Sequence, residues 1–279
     1  MDAGLAREIE AHEAQAWSAS VAATAQAEGN PLLASVDLVA GVRVPALGAI
    51  DSGRFNRVIG LGVDIPVTDA LLGGIAASYA DRAQTSYVLE VSPVTEPGDV
   101  GSRLRKRGLV DTGTRQAKCW QEPARYHEDG MDAVSVLGAD DADEFAQVNM
   151  LAWATPPFLA IWFGATLYAE GFRHYGVRVD GRLVATGAMY VSDGLAWLGF
   201  GATLPAHRGR GMQTALLARR IHEAAVLGCR WVHTETAAHT RSAHDAALTN
   251  MLRTGFDNPY DKVWWSPAPE AARSSPARN

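Results

Sequence analysis

The stretch Gly199–Leu217, GFGATLPAHRGRGMQTALL, decides how this sequence is interpreted. An apolar strand runs into a proline, a glycine-spaced turn follows, and a helix begins at Gly211. The first N–H groups of a helix lack internal partners and lie at the positive end of its dipole, so this turn predicts an anion site. Gly209 and Gly211 let the backbone approach a bulky pyrophosphate without a Cβ in the way. Arg208 and Arg210 add positive charge.

Two common phosphate-binding motifs do not fit this turn. A nucleotide P-loop ends in Gly-Lys-Ser/Thr, whereas Met-Gln-Thr follows Gly211. A dinucleotide-binding Rossmann turn needs three glycines spaced G-x-G-x-x-G, and each of the two glycine pairs in the stretch lacks the third. Glycine pairs alone are a weak signal, so the assignment depends on the whole stretch Gly199–Leu217.

The full string resembles the central motif of the GNAT acyltransferase superfamily, Arg/Gln-x-x-Gly-x-Gly/Ala after a strand and at the start of a long helix. Here the motif is Arg208-x-x-Gly211-x-Gln213, with Gln213 in place of the small residue. A proline three residues before Arg208 and a later helix ending in Gly255-Phe256 support the match, which covers about 133–265. The resemblance implies an N-acetyltransferase that moves an acetyl group from acetyl-CoA to a primary amine of a small molecule, by direct attack in a ternary complex.

The resemblance also implies how coenzyme A is held. The pantetheine arm would add like a strand along 202–204, and a backbone N–H near Thr203 would support the thioester oxyanion. His244 stands at the position of a family asparagine, and its alternative role is that of a solvated helix residue. The alternative role of Asn250 is a hydrogen bond to a strand or to a water. The expected cofactor-binding residues are Ala202, Thr203, Leu204, Arg208, Gly209, Arg210, Gly211, Met212, Gln213, Thr214, His244 and Asn250.

The catalytic base is expected on the strand at 230–236. Strand alternation places His233 and Glu235 on one face, and Glu235 lies near the strand's end, where the cleft would open. Glu235 is the leading candidate for the base and His233 the second, with a structural carboxylate and a core histidine as the alternatives. Many family members use a tyrosine as general acid, which Met251 replaces here. A thiol pKa of about 8.5 makes such an acid dispensable.

The wall that binds the acceptor is expected where a helix breaks at the segment 153–157, WATPP. Trp153 is the candidate residue for stacking on the substrate, with a core position as the alternative. The two cysteines, Cys119 and Cys229, form no CxxC motif and are interpreted as small buried hydrophobic residues. No metal site is expected.

Periodicity predicts a mixed α/β (α+β) fold with two GNAT-like units, each with a mostly antiparallel central sheet flanked by helices. The strand and helix order of 55–120 recurs in 195–265, which indicates a degenerate duplication or, alternatively, ordinary α/β patterning. The expected organisation is a degenerate unit at 1–122, a linker at 123–131, an acyltransferase domain at 132–266 and a disordered tail at 267–279.

Only the second unit is expected to bind the cofactor. The matching loop of the first unit, Asp64–Thr68, has no glycine spacing, and Asp64 would repel a phosphate. The first unit is then a packing and substrate-cleft partner or a scaffold. Within it, Phe55–Val63 is expected to form a strand, and Pro45 is expected to break the strands that follow Val36.

Composition narrows the range of partners. The formal net charge of −6 disfavours nucleic acid, which requires a basic face. No apolar run reaches the roughly 18 residues of a membrane span, and no signal peptide is recognised, so we expect a cytoplasmic protein that does not act at a membrane. We expect a monomer or a homodimer. Two alternatives stay open at this point: a non-catalytic acyl-CoA-binding or regulatory module, and an acetyltransferase for protein lysines or N-termini.

Overall fold

The structure, a computed structural model, describes residues 2–123, 130–239 and 246–268. Seven helices are described: α1 (Ala3–Ala25), α2 (Asp69–Ala80), α3 (Val100–Lys106), α4 (Ala142–Trp153), α5 (Ala160–Ala165), α6 (Met212–Val226) and α7 (Ala246–Arg253). Eleven strands are described in the same ranges: β1 (Ala34–Val39), β2 (Val42–Leu47), β3 (Arg57–Val58), β4 (Val88–Val91), β5 (Leu109–Gln121), β6 (Val134–Leu137), β7 (Phe172–Val179), β8 (Arg182–Ser192), β9 (Leu195–Thr203), β10 (Trp231–Ala237) and β11 (Asp257–Pro267).

The chain divides into two units whose bounds differ from the ranges expected from the sequence. The first unit combines Met1–Ala22, Leu33–Gln116 and Tyr260–Asn279, and the second combines Ala23–Leu32 and Ala117–Pro259. Three elements, α1, β5 and β11, contribute residues to both. The expected linker at 123–131 and tail at 267–279 lie largely outside the described residues.

The first unit is a small mixed α/β structure. Strands β1 and β2 pair antiparallel, β3 pairs parallel with β4, and β4 pairs antiparallel with β11. Pro45 lies inside β2 opposite Val36, so the expectation that it breaks the strand is wrong. Both strands of a two-stranded sheet are edge strands, where proline is tolerated.

The strand expected over Phe55–Val63 is reduced to the two residues of β3. Gly60 and Gly62 both have φ of +72°, and a Cβ on Gly62 would lie 2.7 Å from the Glu96 carbonyl oxygen. These left-handed glycines turn the chain out of the strand conformation. The apolar pattern of the segment is explained by burial of Leu61 and Val63 in the core instead.

A buried ionic network lies in the core of the first unit. The Lys262 ammonium is 2.7 Å from the Glu13 carboxylate and 2.5 Å from that of Glu90. Arg57 donates to the second oxygen of Glu90 at 2.9 Å. None of these four side chains is more than 8% exposed, so each charge depends on its neighbours rather than on water. Nothing in the sequence pattern indicated this network.

The second unit contains a sheet in the order β10-β9-β8-β7-β6. All its neighbouring pairs are antiparallel except β9 and β10, which are parallel, so the expected mostly antiparallel sheet is confirmed. Helices α6 and α7 contribute to an apolar core that includes both buried cysteines. Asp180-Gly181 between alternating apolar residues predicts a hairpin turn between β7 and β8, and this is confirmed, with φ of +51° at Asp180 and +77° at Gly181. Within the described residues, no helix is both long and apolar enough to cross a membrane.

Candidate functional site

Strand β9 carries a β-bulge at the point where the glycine-rich stretch begins. Ala202 lies opposite Thr186 and Gly199 lies opposite Ala188, so β9 uses one residue more than β8 between these pairs. Phe200, inside the bulge, has a left-handed φ of +51°. A bulge bends its strand and re-aims the backbone, and such features are common next to functional sites.

Strands β9 and β10 pair over only three residues. The parallel pairing runs from Leu195/Trp231 to Trp197/His233 and then stops, although β9 continues to Thr203 and β10 to Ala237. The Thr234 hydroxyl still donates to the Leu198 carbonyl oxygen at 2.8 Å. Beyond this bond, β9 forms no further backbone pair with β10 within the described residues. The bulged end of β9 therefore has one edge against β8 and, among the described residues, one edge open.

The Thr203 N–H points to the open edge. The Leu204 N–H donates to the Val184 carbonyl of β8 at 2.9 Å, and Ala202 lies opposite Thr186 of β8. Strand alternation then turns the polar groups of Ala202 and Leu204 towards β8 and those of Thr203 away from it. The family resemblance implies an oxyanion donor near this residue.

Side-chain donors cover a continuous row of bulge carbonyls. Each carbonyl from residue 199 to residue 203 accepts a hydrogen bond from a different side chain. The pairs are Arg220 Nη1 to Gly199 (3.3 Å), Thr186 Oγ1 to Phe200 (3.4 Å), Trp153 Nε1 to Gly201 (3.3 Å), Gln213 Nε2 to Ala202 (2.7 Å) and Arg208 Nε to Thr203 (3.2 Å). Because a carbonyl bond fixes the plane of its peptide, the row also fixes the directions of the N–H groups.

Arg220 supports the bulge from inside the core. Its guanidinium is 2% exposed and donates to the carbonyls of Leu216, Ala188 and Gly199 at 2.9, 3.0 and 3.3 Å. Burial lowers the pKa of Arg220 to about 10. Sequence analysis missed this residue, although an arginine within the apolar face of α6 is a signal that could have found it.

Aromatic rings hold the Phe200 side chain in place. Trp153 stacks on it with centroids 6.3 Å apart, and Trp162 contacts it edge-on at 5.3 Å. Phe163 and Trp197 lie at 6.1 and 5.8 Å. The structure therefore places Trp153, the candidate substrate-stacking residue, in the aromatic core that anchors the bulge. This agrees with the alternative position named for it.

The loop before α6 leaves its N–H groups open. Gly209 and Gly211 have φ of +74° and +76°, and Gly211 is the N-cap residue of α6 with no side chain to cap the helix. Within the described residues, no atom lies within 4 Å of a Cβ built on either glycine. Among the described residues, none accepts a hydrogen bond from the N–H groups of Met212 or Thr214, which lie at the positive end of the helix dipole.

The two arginine side chains of the loop brace the backbone. Arg208 donates to the Thr203 carbonyl at 3.2 Å and to the Ala152 carbonyl at 3.1 Å. Arg210 donates to the Ala206 carbonyl at 3.3 Å. Their charges still raise the local positive potential, but their hydrogen bonds shape the loop, and the backbone N–H groups are what the loop offers to an anion.

The corresponding helix of the first unit is closed. A threonine before an apolar helical pattern predicts an N-cap at Thr68, and this is confirmed, since its hydroxyl accepts the Leu71 N–H at 3.1 Å. The Val67 N–H donates to the Glu96 carbonyl at 2.7 Å. The N–H groups of Leu71 and Val67 thus have protein partners, so the loop before α2 offers fewer free donors to an anion than the loop before α6 does.

The candidate bases lie on β10 at different depths. His233 is fully buried and forms the last pair with β9. Glu235 is half-buried, two residues beyond the last β9–β10 pair. Of the two, only Glu235 combines partial exposure with a place beside the open edge of the strands.

The remaining predicted site residues are spread along α7 and its approach. His244 lies outside the described residues. Asn250 is half-buried on α7, and its carbonyl accepts the Thr254 N–H at 3.0 Å. Met251, at the family's tyrosine position, packs partly against the core of the second unit. Met212 also packs against that core, and Thr214 is half-buried on α6.

Part of the chain is similar to a known protein family. The acetyltransferase (GNAT) family matches residues 140–249, which include the bulged strand, the loop and α6. No curated protein sequence matches the chain.

Similar folds occur in several solved structures. A GCN5-related N-acetyltransferase from Kribbella flavida shares 18% identity with a TM-score of 0.60, over 91% of this chain and 98% of that one. A tandem GNAT protein from the clavulanic acid biosynthesis pathway shares 18% identity with a TM-score of 0.56, over 82% and 79%. A GCN5-related N-acetyltransferase from Sphaerobacter thermophilus shares 15% with a TM-score of 0.53, over 70% and 65%. Because the first match spans nearly the whole chain, the similarity of fold includes the first unit.

Proposed function

Given that residues 140–249 form a GNAT-family domain, we propose that this chain is an N-acetyltransferase that moves an acetyl group from acetyl-CoA to a primary amine of a small molecule. One observation carries the proposal: the uncapped N-terminus of α6 lies next along the chain to a bulged strand whose edge is unpaired. The first feature suits a pyrophosphate, and the second suits an extended arm.

The residues present fit coenzyme A. The N–H groups from Gly209 to Thr214 would hold the pyrophosphate, since a Cβ on Gly209 or Gly211 would point into space that the protein leaves open. The open edge of Ala202–Leu204, where Thr203 turns its N–H and carbonyl away from β8, would lie against the pantetheine arm. Acetyl-CoA supplies an acyl group activated as a thioester, which the amine attacks directly.

Two groups of the chain would then serve the transfer. The Thr203 N–H, aimed at the open edge, would donate to the thioester oxygen as negative charge develops on it. The Glu235 carboxylate, half-buried beyond the last β9–β10 pair, would accept a proton from the ammonium of the acceptor, directly or through a water. His233 is the second candidate for that base.

Binding and turnover test the proposal in two steps. Calorimetry with acetyl-CoA should show saturable binding to the intact chain, and a panel of small amines should release free coenzyme A thiol. Glu235→Gln should lower kcat by about a hundredfold, within the range for a lost general base, with the Kd for coenzyme A unchanged. Absence of acetyl-CoA binding at millimolar concentration would overturn the proposal, and turnover unaffected by Glu235→Gln would remove only the base assignment.

One observation favours a second function, a non-catalytic acyl-CoA-binding module. Met251 replaces the acid tyrosine and packs against the core, so the second unit lacks that proton donor. This alternative predicts binding without thiol release across small amines, peptides with free N-termini and lysine peptides. Release with peptides alone would instead assign the chain to protein acetylation.

A further inference from the structure

Gln213 is the residue at which this chain departs from the family motif, which has a small residue at that position. It is the second residue of α6, and its side chain reaches back to the bulge. Its Nε2 lies 2.7 Å from the Ala202 carbonyl, 2.9 Å from the Thr203 hydroxyl and 3.3 Å from the Thr186 carbonyl. Two of the three neighbours are carbonyl oxygens, which can only accept, so the NH₂ end of the amide must face them.

The Ala202 carbonyl belongs to the same peptide group as the Thr203 N–H. In a trans peptide the C=O and the N–H point in opposite directions. The Gln213 amide draws the carbonyl towards α6 and β8, and this turns the Thr203 N–H towards the open edge. A hydrogen bond to a carbonyl also polarises its peptide, and a polarised peptide is a stronger N–H donor.

The Gln213 side chain lies close to the backbone of Gly201. Its Oε1 lies 3.2 Å from the position that a Cβ would take on Gly201. Gly201 is therefore the residue that makes room for the longer side chain. Since the peptides on both sides of Ala202–Thr203 are held by Trp153 and Arg208, Gln213 completes the row rather than acting alone.

We propose that Gln213 is a positioning residue that fixes and polarises the Ala202–Thr203 peptide, so that the Thr203 N–H is presented as the oxyanion donor. This inference rests on the proposed function, because an oxyanion donor needs a thioester to act on. It goes beyond the family motif, in which a small residue at this position offers no side-chain donor.

The experiment uses Gln213→Met in the full chain, because methionine has about the same length as glutamine but no N–H donor. Two readouts are needed. The first is the amide resonance of Thr203 in ¹H–¹⁵N spectra of the free protein. The second is the C=O stretching frequency of bound acetyl-CoA labelled with ¹³C at the acetyl carbonyl, which falls as the oxygen accepts stronger hydrogen bonds.

The proposal predicts changes in both readouts and a split in the kinetics. In Gln213→Met the Thr203 amide proton should shift upfield, and the fall in the bound carbonyl frequency should shrink. In a turnover assay kcat should drop about tenfold, less than for outright loss of an oxyanion donor, while the Kd for coenzyme A stays within about twofold. Gln147→Met, on the exposed face of α4, is the matched control. It should leave the Thr203 amide shift, the carbonyl frequency, kcat and the Kd for coenzyme A unchanged.

Each outcome is decisive. An unchanged Thr203 resonance, or a carbonyl band identical in the wild type and Gln213→Met, would overturn the role of Gln213. If acetyl-CoA does not bind the wild type, the proposed function fails, and the Thr203 resonance of the free protein still decides whether Gln213 fixes the peptide. If Gln213→Met does not fold, Gln213→Ala takes its place, because alanine is the best helix former and matches the family's small residue.

Discussion

Substituting one glycine tests whether the loop before α6 binds the cofactor. Gly211 and Gly228 lie at opposite ends of α6, with φ of +76° and +75°. Among the residues that the structure describes, none has an atom within 4 Å of a Cβ built on either glycine. Alanine at either position should therefore cost about 1–2 kcal/mol of unfolding free energy, because the left-handed conformation disfavours a Cβ. The two variants are thus matched in their effect on the protein alone.

They differ in what the added methyl group meets when coenzyme A is bound. At Gly211 it would occupy space that we assign to the pyrophosphate, and the loss of one N–H bond to a charged group is worth about 1.5–3 kcal/mol. That range corresponds to an affinity loss of about 10- to 100-fold. At Gly228 the methyl group lies at the other end of the helix, so the affinity should not change.

Calorimetric titration with coenzyme A measures the affinities, and urea denaturation measures the stabilities. The reasoning requires equal losses of stability and unequal losses of affinity. An affinity for Gly211→Ala equal to that of Gly228→Ala would show that the pyrophosphate is not held at this loop.

Three further predictions concern the cores. Lys262→Met should cost about 3–5 kcal/mol in urea denaturation because it removes the buried cation that Glu13 and Glu90 share, whereas the exposed Lys106→Met should stay within about 0.5 kcal/mol. Burial lowers the pKa of His174 from 6.5 to about 3, so between these pH values the unfolded state binds a proton that the folded state does not. The stability should therefore fall as the pH falls through this window. Thermal melts across the window should show a smaller fall for His174→Phe than for the wild type. A Cβ on Gly199 would lie 2.0 Å from the Trp197 ring, so Gly199→Ala should cost about 1–3 kcal/mol, and a double-mutant cycle should show a smaller cost in the Trp197→Leu background.

Local patterns predicted most of the second unit. The helices at 142–153 and 212–226 and the hairpin at Asp180-Gly181 follow from apolar spacing and turn chemistry, which act over a few residues. The same reasoning failed at Phe55–Val63, where an apolar run marks burial but two left-handed glycines prevent a strand. Apolar composition reports that a segment is buried, and it does not by itself report the backbone conformation.

The buried polar groups were beyond the reach of sequence patterns. Lys262 looks like the first residue of a closing strand, yet its ammonium is held by carboxylates from α1 and β4. Arg220 lies on a helix whose sequence pattern is amphipathic, yet its guanidinium donates to the Gly199 carbonyl in the bulge of β9. Both depend on contacts between residues far apart in the chain, which no local spacing encodes.

The sequence by itself predicts an anion site after the strand ending near Thr203, because glycine spacing before a helix is a local property with a direct electrostatic consequence. It also determined that Asp64–Thr68 would not form a second such site. Only the tertiary structure decided which way the Thr203 N–H points and that Gln213 holds its peptide in place. The direction of a peptide group is set by the partners of its carbonyl, and here those partners come from α6 and β8, which lie on either side of β9 along the chain.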